Sequence, residues 1–272
     1  MSILLKQNDA LIEVNKLKDS SVDLFVIDPP YGNEYAHWDK CSEEFSKFTE
    51  KWVKLFAKKL KKNGTMWIFM SRNHLFKINK SPNLGLINIL EKYGNVNLNN
   101  WVTWKRMKGR SSKKKPKSLA EEIIHFTKSD NYVWNEMVVL KEVVAPYVLN
   151  GRPRGWFTAE STGKRMRWNG LGNVRLYSSP VWSGKLDVQR HSAQKPLLLM
   201  ERLVLLSSNH GDFVVDPFMG SGTTALISKY HNRNFLGVEK DKKIFKETDL
   251  YVRKHYKDIK EILEKDIQKV KQ

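Results

Sequence analysis

Two short loops in this 272-residue sequence gather residue types suited to binding and chemistry. The first is Asp28-Pro29-Pro30-Tyr31, directly after the apolar run Val22 to Ile27. Its two prolines have no N–H, so the local carbonyls stand beside the Asp28 carboxylate as acceptors without competing donors. Acceptors side by side suit a donor-rich group such as an exocyclic amine, and the Tyr31 ring offers a flat face on which a base can stack. The second loop is Asp216-Pro217-Phe218-Met219-Gly220-Ser221-Gly222-Thr223-Thr224. Small residues there let a ligand approach the backbone, and a helix opening at Thr223 presents unpaired N–H groups to a polar or negative group. The loop has neither the lysine of a phosphate-binding P-loop nor the G-x-G-x-x-G of a dinucleotide fold. Glu239 follows Asp216 by 23 residues, about the separation at which an acidic side chain takes a pair of ribose hydroxyls in nucleotide-binding α/β folds. A nucleoside without phosphates suits these features better than a dinucleotide or a triphosphate.

Both loops need elements that deliver strand ends to one edge, and the hydrophobic pattern predicts them. Val22 to Ile27 reads as a buried strand, Phe45 to Leu60 as a helix stopped by Asn63-Gly64, and Thr65 to Met70 as a second strand. Ile123 to Thr127 and Tyr132 to Trp134 read as strands near the sheet edge. Regular alternation resumes with a helix over Pro196 to Ser208, a strand over Asp212 to Val215, a helix over Thr223 to Tyr230 and a strand over Asn234 to Val238. Asp241 to Gln272 reads as one charged helix whose apolar stripe packs on the body. Between residues 141 and 187 the glycines break any long period, which predicts an irregular inserted lobe between residues 1–140 and 188–272. Strand, loop, helix and strand in this order is the grammar of a mostly parallel α/β sheet.

The composition bounds the partners. Lys and Arg number 48 against 29 Asp and Glu, a formal charge of +19 that points to a polyanion. A hydrophobic content of 40% excludes a disordered basic tail. The single cysteine, Cys41, supplies neither an intramolecular disulfide nor a Cys-based zinc site, and the histidines form no H-E-x-x-H cluster, so no metal is expected. With no signal-peptide pattern and no apolar stretch near 20 residues, the expected location is the cytoplasm, with no membrane partner.

DPPY together with DPFMGSGTT resembles the S-adenosylmethionine-dependent amino-methyltransferases of DNA. The catalytic loop comes first and the cofactor loop last, which is similar to the permuted β class of that family. His191-Ser192-Ala193-Gln194-Lys195-Pro196 is similar to the family's H-x-x-Q-K-P segment. The resemblance implies a Rossmann-like methyltransferase fold, a mostly parallel twisted sheet with helices on both faces, and a target-recognition lobe inserted at 141–187. It implies S-adenosylmethionine as cofactor. Asp216, Phe218, Gly220, Ser221, Gly222 and Thr223 shape its loop, Glu239 holds the ribose, Lys195 faces the methionine carboxylate, Asp9 lies near the cofactor's adenine and Asp28 also borders the cofactor. Asp9 is equally read as the aspartate of an exposed turn.

In this chemistry Asp28 and the Pro29 carbonyl accept the two amine hydrogens, favouring a pyramidal nitrogen whose lone pair points at the methyl group. Pro30 fixes the loop and Tyr31 receives a base that has left the duplex. The resemblance also implies the base: an acidic residue before PPY, here Asp28, is the pattern of the family's adenine-N6 enzymes. Cytosine N4, an RNA adenine and a catalytically silent nucleic-acid-binding subunit are the alternatives. Double-stranded DNA is the expected partner, with a cognate restriction endonuclease and a homodimer left open. Lys105, Arg106, Arg110, Lys113, Lys114, Lys115 and Lys117 belong to a basic segment that reads as a grip on phosphates. Within the lobe, Arg152, Arg154, Lys164, Arg165, Arg167 and Arg175 alternate with Trp156, Trp168 and Tyr177. The arginines can read guanine edges, while the tryptophans stack on bases or form a small local core.

Overall fold

In chain order the elements are β1 (Ile3–Gln7), α1 (Ala10–Asn15), β2 (Val22–Ile27), α2 (Phe45–Lys59), β3 (Leu60–Met70), α3 (Leu86–Ile89), β4 (Asn97–Lys105) and β5 (Ala120–Thr127). They continue with β6 (Trp156–Thr158), β7 (Arg165–Arg167), β8 (Val181–Ser183), α4 (Leu197–Ser207), β9 (Phe213–Asp216), α5 (Thr223–Tyr230), β10 (Asn234–Glu239) and α6 (Lys242–His255). The computed structural model describes residues 2–31, 45–70, 85–105, 120–135, 194–261 and 263, and the backbone of 156–158, 165–167 and 181–183. Among the described residues the main sheet has the order β1-β10-β9-β2-β3-β5-β4-β8. The pairs from β1 through β3 are parallel. β5 runs antiparallel to both β3 and β4, and β8 lies parallel to β4 at the edge. Within the range expected for the lobe, β6 and β7 form a two-stranded antiparallel ribbon.

All six residues of β2 are buried, which requires cover on both faces of the sheet. Phe25 and Ile27 face a cluster built with Trp52, Val53 and Phe56 of α2, and the Phe25 and Phe56 rings stack with centroids 5.1 Å apart. Leu24 and Val26 point the other way, into a cluster with Leu203 and Val204 of α4 and Leu226 of α5. The mostly parallel sheet with helices on both faces is therefore the one expected. α2 shows why its sequence is helical: Thr49, Trp52, Val53, Phe56 and Ala57 recur at helical spacing and are buried, while Lys47, Lys51, Lys54 and Lys58 face water.

Three local expectations are corrected. Asn63-Gly64 does not form a turn, because β3 starts at Leu60 and runs through it. The ladder with β2 shifts register between Val22 and Leu24, and a Cβ on Gly64 would stand 2.7 Å from Leu60 Cδ1 and 3.0 Å from the Asp23 carbonyl. The glycine serves a close backbone approach in an irregular stretch of the strand, not a loop. Tyr132 to Trp134 joins no ladder. Its rings pack on His125 instead, and the Asn135 N–H and side-chain amide anchor the segment to carbonyls at the end of α4. The C-terminal helix ends at His255, and a turn separates it from a further helical turn that buries Ile259 and Leu263. No helix among the described residues is long and apolar enough to cross a membrane.

Candidate active site

β1, β10, β9 and β2 are adjacent and parallel, so the segments leaving Gln7, Glu239, Asp216 and Ile27 emerge at one edge of the sheet. From β9 the chain crosses by α5 to β10 on one side. From β2 it crosses by α2 to β3 on the other, with the two helices on opposite faces. The gap between β9 and β2 is thus the topological switch point, where open α/β sheets bind ligands. The glycine-rich loop and the DPPY loop flank it.

Asp216 turns inward. Its Oδ1 accepts from the Phe218 N–H at 3.2 Å and its Oδ2 from the Thr224 hydroxyl at 2.6 Å. Burial pushes its carboxyl up to about 7, assisted by the charges of Asp28 and Glu239. Gly222 has φ +77°, and a Cβ there would stand 2.6 Å from Thr248 Cγ2 of α6, so the helix passes directly behind the loop. The Thr248 hydroxyl also donates to the Gly220 carbonyl. Ser221 and Thr223 hydroxyls lie 3.1 Å apart, and Thr223 Oγ1 donates to the Lys195 carbonyl at 3.4 Å. Phe218 packs its ring against Phe48 and Phe56 of α2.

Glu239 is held by backbone donors. The Gly220 N–H donates to Oε2 at 3.0 Å and the Asp241 N–H to Oε1 at 2.8 Å, while burial raises its carboxyl above the ordinary range. Beside it, Asp9 caps α1 through the Leu11 N–H at 2.9 Å and pairs with Lys240 Nζ at 3.1 Å. Its second reading, as a turn aspartate, therefore has a defined structural job, and its position after β1 also puts it next to Glu239.

Asp28 presents the opposite arrangement. Its Oδ1 accepts from the Tyr31 hydroxyl at 2.7 Å and its Oδ2 from the Lys195 ammonium at 2.5 Å. Lys195 also pairs with Glu121 Oε1 at 3.1 Å and lies over the Phe69 ring at 4.8 Å. Burial works against its charge, yet Asp28 and Glu121 outweigh that and hold the ammonium above its ordinary range. Lys195, expected at a cofactor carboxylate, thus already shares its charge between two protein carboxylates.

The structure brings Asp9, Asp28, Tyr31, Lys195, Asp216, Phe218, Gly220, Ser221, Gly222, Thr223 and Glu239 to this one edge. Pro29 and Pro30 lie between Asp28 and Tyr31 in the same loop. Glu121 was not anticipated. Because β5 runs antiparallel to β3, its first residues arrive beside Met70, at the same edge as the ends of the parallel strands. The available signal was Glu121-Glu122 at the head of an otherwise apolar strand, since two buried acids require partners. Lys105 ends β4 and Arg165 and Arg167 bound β7, with only their backbones described. Arg106, Arg110, Lys113, Lys114, Lys115, Lys117, Arg152, Arg154, Lys164 and Arg175 lie outside the described residues, as do Trp168 and Tyr177.

Residues 22–249 match the family model described as DNA methylase, which spans N6 and N4 enzymes. The type II methyltransferase M1.MboII of Moraxella bovis is 34% identical over 241 residues, covering 83% of this chain and 87% of that protein. The structure is similar to that of the M1.HpyAVI–S-adenosylmethionine complex, with a TM-score of 0.58 and 22% identity over 91% of this chain and 98% of the other. It is also similar to PvuII DNA methyltransferase, described as cytosine-N4-specific, with a TM-score of 0.64 and 15% identity over 93% and 90% of the two chains. At these identities the two structures speak for the fold.

Proposed function

The chain belongs to the DNA methylase family, and from that premise we propose that it transfers a methyl group from S-adenosylmethionine to adenine N6 in duplex DNA, at a specific sequence and on a flipped-out base. The observation that carries this reading is the placement of Asp28, held by Tyr31 and Lys195, beside the cofactor-type loop at the β9/β2 switch point.

The residues present fit the cofactor. Gly220 and Gly222 keep the loop bare of side chains, and Glu239, fixed by two backbone N–H groups, keeps lone pairs for ribose hydroxyls. Asp9, Ser221, Thr223 and Phe218 complete the wall, and Asp216 holds the loop in shape. When bound, S-adenosylmethionine supplies an electrophilic methyl carbon: sulfur keeps the pair of the broken C–S bond, the amine lone pair forms the C–N bond, and one amine proton departs.

The protein's share is positioning and charge. Asp28 and the Pro29 carbonyl accept the amine hydrogens, and the departing proton passes to Asp28 or to water. Pro30 limits the loop's freedom, and the Tyr31 ring stacks on the base. An incoming amine at Oδ1 competes with the Tyr31 hydroxyl that now occupies it. The aspartate ahead of PPY favours adenine over cytosine. The basic segment around Lys113 to Lys117 grips phosphates, and arginines of the lobe read base edges. The type II names of the relatives support a cognate restriction endonuclease as partner, and we assign the protein to the cytoplasm, where its DNA substrate lies.

The test is modification-sensitive sequencing of DNA from a host lacking adenine methylation, with and without this protein. N6-methyladenine in one short motif is the expected result. N4-methylcytosine, or methylation confined to RNA, overturns the assignment.

A further inference from the structure

Glu121 approaches the catalytic edge from a strand that neither loop belongs to. Its side chain is only 9% exposed, and that of Lys195 only 10%, whereas Asp28 retains 24%. Two nearly enclosed groups thus stand behind one that reaches the crevice. Burying an isolated ion is costly, and a buried charge persists when it is paired. Lys195 is doubly paired, and its backbone carbonyl is tied to Thr223 at the start of α5. The ammonium is therefore anchored from the cofactor loop while its charge is directed at Asp28.

We propose that Glu121 is a positioning residue for methyl transfer: it holds the Lys195 ammonium against Asp28 and supplies the second negative charge that keeps Asp28 an effective acceptor for the target amine. This rests on the amino-methyltransferase reading above. The physical reason is a balance of charges. Lys195 alone on Asp28 makes a closed ion pair in a low-dielectric setting, and a carboxylate so neutralised accepts weakly from an amine. With Glu121 present, two carboxylates share one ammonium and the cluster retains one net negative charge. That charge faces the place where a departing amine proton must be received. Lys195 meanwhile fixes Oδ2, so the rotamer of Asp28 is set before any substrate arrives.

Other charged groups act on the same carboxylate and bear on any pH effect. Tyr31 donates to Oδ1 from within the loop, and Asp216 at the end of β9, whose carboxyl is pushed up to about 7, adds like charge only as the pH rises past that value. Glu122, next to Glu121 in β5, is engaged elsewhere: its Oε2 accepts from Trp101 Nε1 at 2.8 Å and from the Thr103 hydroxyl at 2.7 Å. Glu122→Gln therefore serves as a control that alters the same strand without touching Lys195.

The experiment uses the full chain with Glu121→Gln, Glu121→Asp and Glu122→Gln. Methyl transfer to duplex DNA is measured together with S-adenosylmethionine affinity, and the lysine ammonium signals are followed by 15N NMR in the absence of DNA. Glu121→Gln is expected to lower kcat about tenfold with cofactor affinity within about threefold, the pattern of a lost positioning contact. The Lys195 ammonium is expected to lose its proton at lower pH, because one of its two carboxylates is gone. Glu121→Asp should recover part of kcat, since it restores the charge. An unmoved Lys195 signal, an unchanged kcat, or equal losses in Glu121→Gln and Glu122→Gln overturn the proposal. If the wild-type protein methylates no duplex DNA, the functional reading fails by itself, and the Lys195 signal still decides whether Glu121 controls that ammonium.

Discussion

The two loops at the switch point each open on an aspartate, Asp216 as the last residue of β9 and Asp28 directly after β2, and the two carboxylates are held in opposite ways. Asp216 is enclosed and receives one backbone N–H and one hydroxyl from its own loop and helix, all within eight residues of itself. Asp28 is partly open, and Lys195, which holds its Oδ2, comes from 167 positions away in the chain. A carboxylate satisfied by local backbone is a structural pin. One whose open oxygen is held by a side-chain hydroxyl, as Tyr31 holds Asp28 Oδ1, can exchange that donor for a substrate's. Identical residue types after similar strands thus diverge in role according to who supplies their hydrogen bonds.

The sharpest way to break this contrast is to remove the open carboxylate. Asp28→Ala should lower turnover about a thousandfold or more, the scale at which a group acting on the reacting atoms is lost. Cofactor affinity should stay within about tenfold. Radiolabelled methyl transfer alongside calorimetry separates the two, and an equal collapse of binding would make Asp28 part of the cofactor's cradle.

The enclosed side predicts a pH effect. The Asp216 carboxyl sits at about 7 in the folded protein against 3.8 for the ordinary group. The folded state therefore binds this proton more tightly than the unfolded chain does. Its contribution to stability is fully present below about pH 4 and is lost as pH rises towards 7. At about 1.4 kcal/mol per unit, this amounts to about 4 kcal/mol. Denaturant unfolding of wild type and Asp216→Asn at pH 5 and pH 8 reads it directly. The wild type should lose stability relative to the variant as pH rises, and a constant difference would mean that Asp216 is ionised throughout.

How much of this was legible follows from the range of the interactions. The run of β2, the glycine loop and the strand that ends at Glu239 announce themselves because their patterns are local: apolar continuity, small residues and a fixed offset to an acid. The pairing of Lys195 with Asp28 and Glu121 spans most of the chain and depends on β5 running antiparallel to β3, which no local pattern specifies. Asn63-Gly64 misled for the complementary reason. A turn-forming pair and a pair that lets a strand pass close to its neighbour look alike in sequence, and only the partner strand, here Asp23 in β2, decides between them. Tyr132 to Trp134 has strand-like side chains but finds its partner in the His125 ring, not in a neighbouring backbone.

The left-handed glycine of the glycine-rich loop offers an intermediate test. Gly222→Ala places a Cβ at φ +77° and against Thr248, which should cost about 2 kcal/mol of stability from backbone strain and overpacking. Thr248→Ala removes the nearer obstacle and the hydroxyl bond to the Gly220 carbonyl, while Val252 Cγ2 at 3.0 Å and the strain remain. Measured against Thr248→Ala alone, the glycine substitution should then cost less in thermal unfolding. If it costs as much, the Thr248 contact does not set the cost.

The smallest expected effect tests whether Glu239 is a pin like Asp216 or a ligand contact like Asp28. It shares features of both: two backbone N–H groups hold it, yet it stands at a strand end, next to β1, where the ribose is assigned. If it does both jobs, Glu239→Gln is the informative change, because the amide keeps one carbonyl acceptor for a backbone N–H but loses the charge and one acceptor face. Cofactor affinity should then fall by about 1.5 kcal/mol, roughly tenfold, the scale of a charge-assisted hydrogen bond. Unfolding stability should change less than affinity does, because the Gly220 and Asp241 donors also belong to backbone turns that persist without the charge. A pure pin predicts the reverse order: a stability loss that exceeds the binding loss, and affinity that recovers fully once the folded fraction is corrected for. Measuring both quantities on the same preparation therefore assigns Glu239 to one side of the contrast between the two loops, whichever way the result falls.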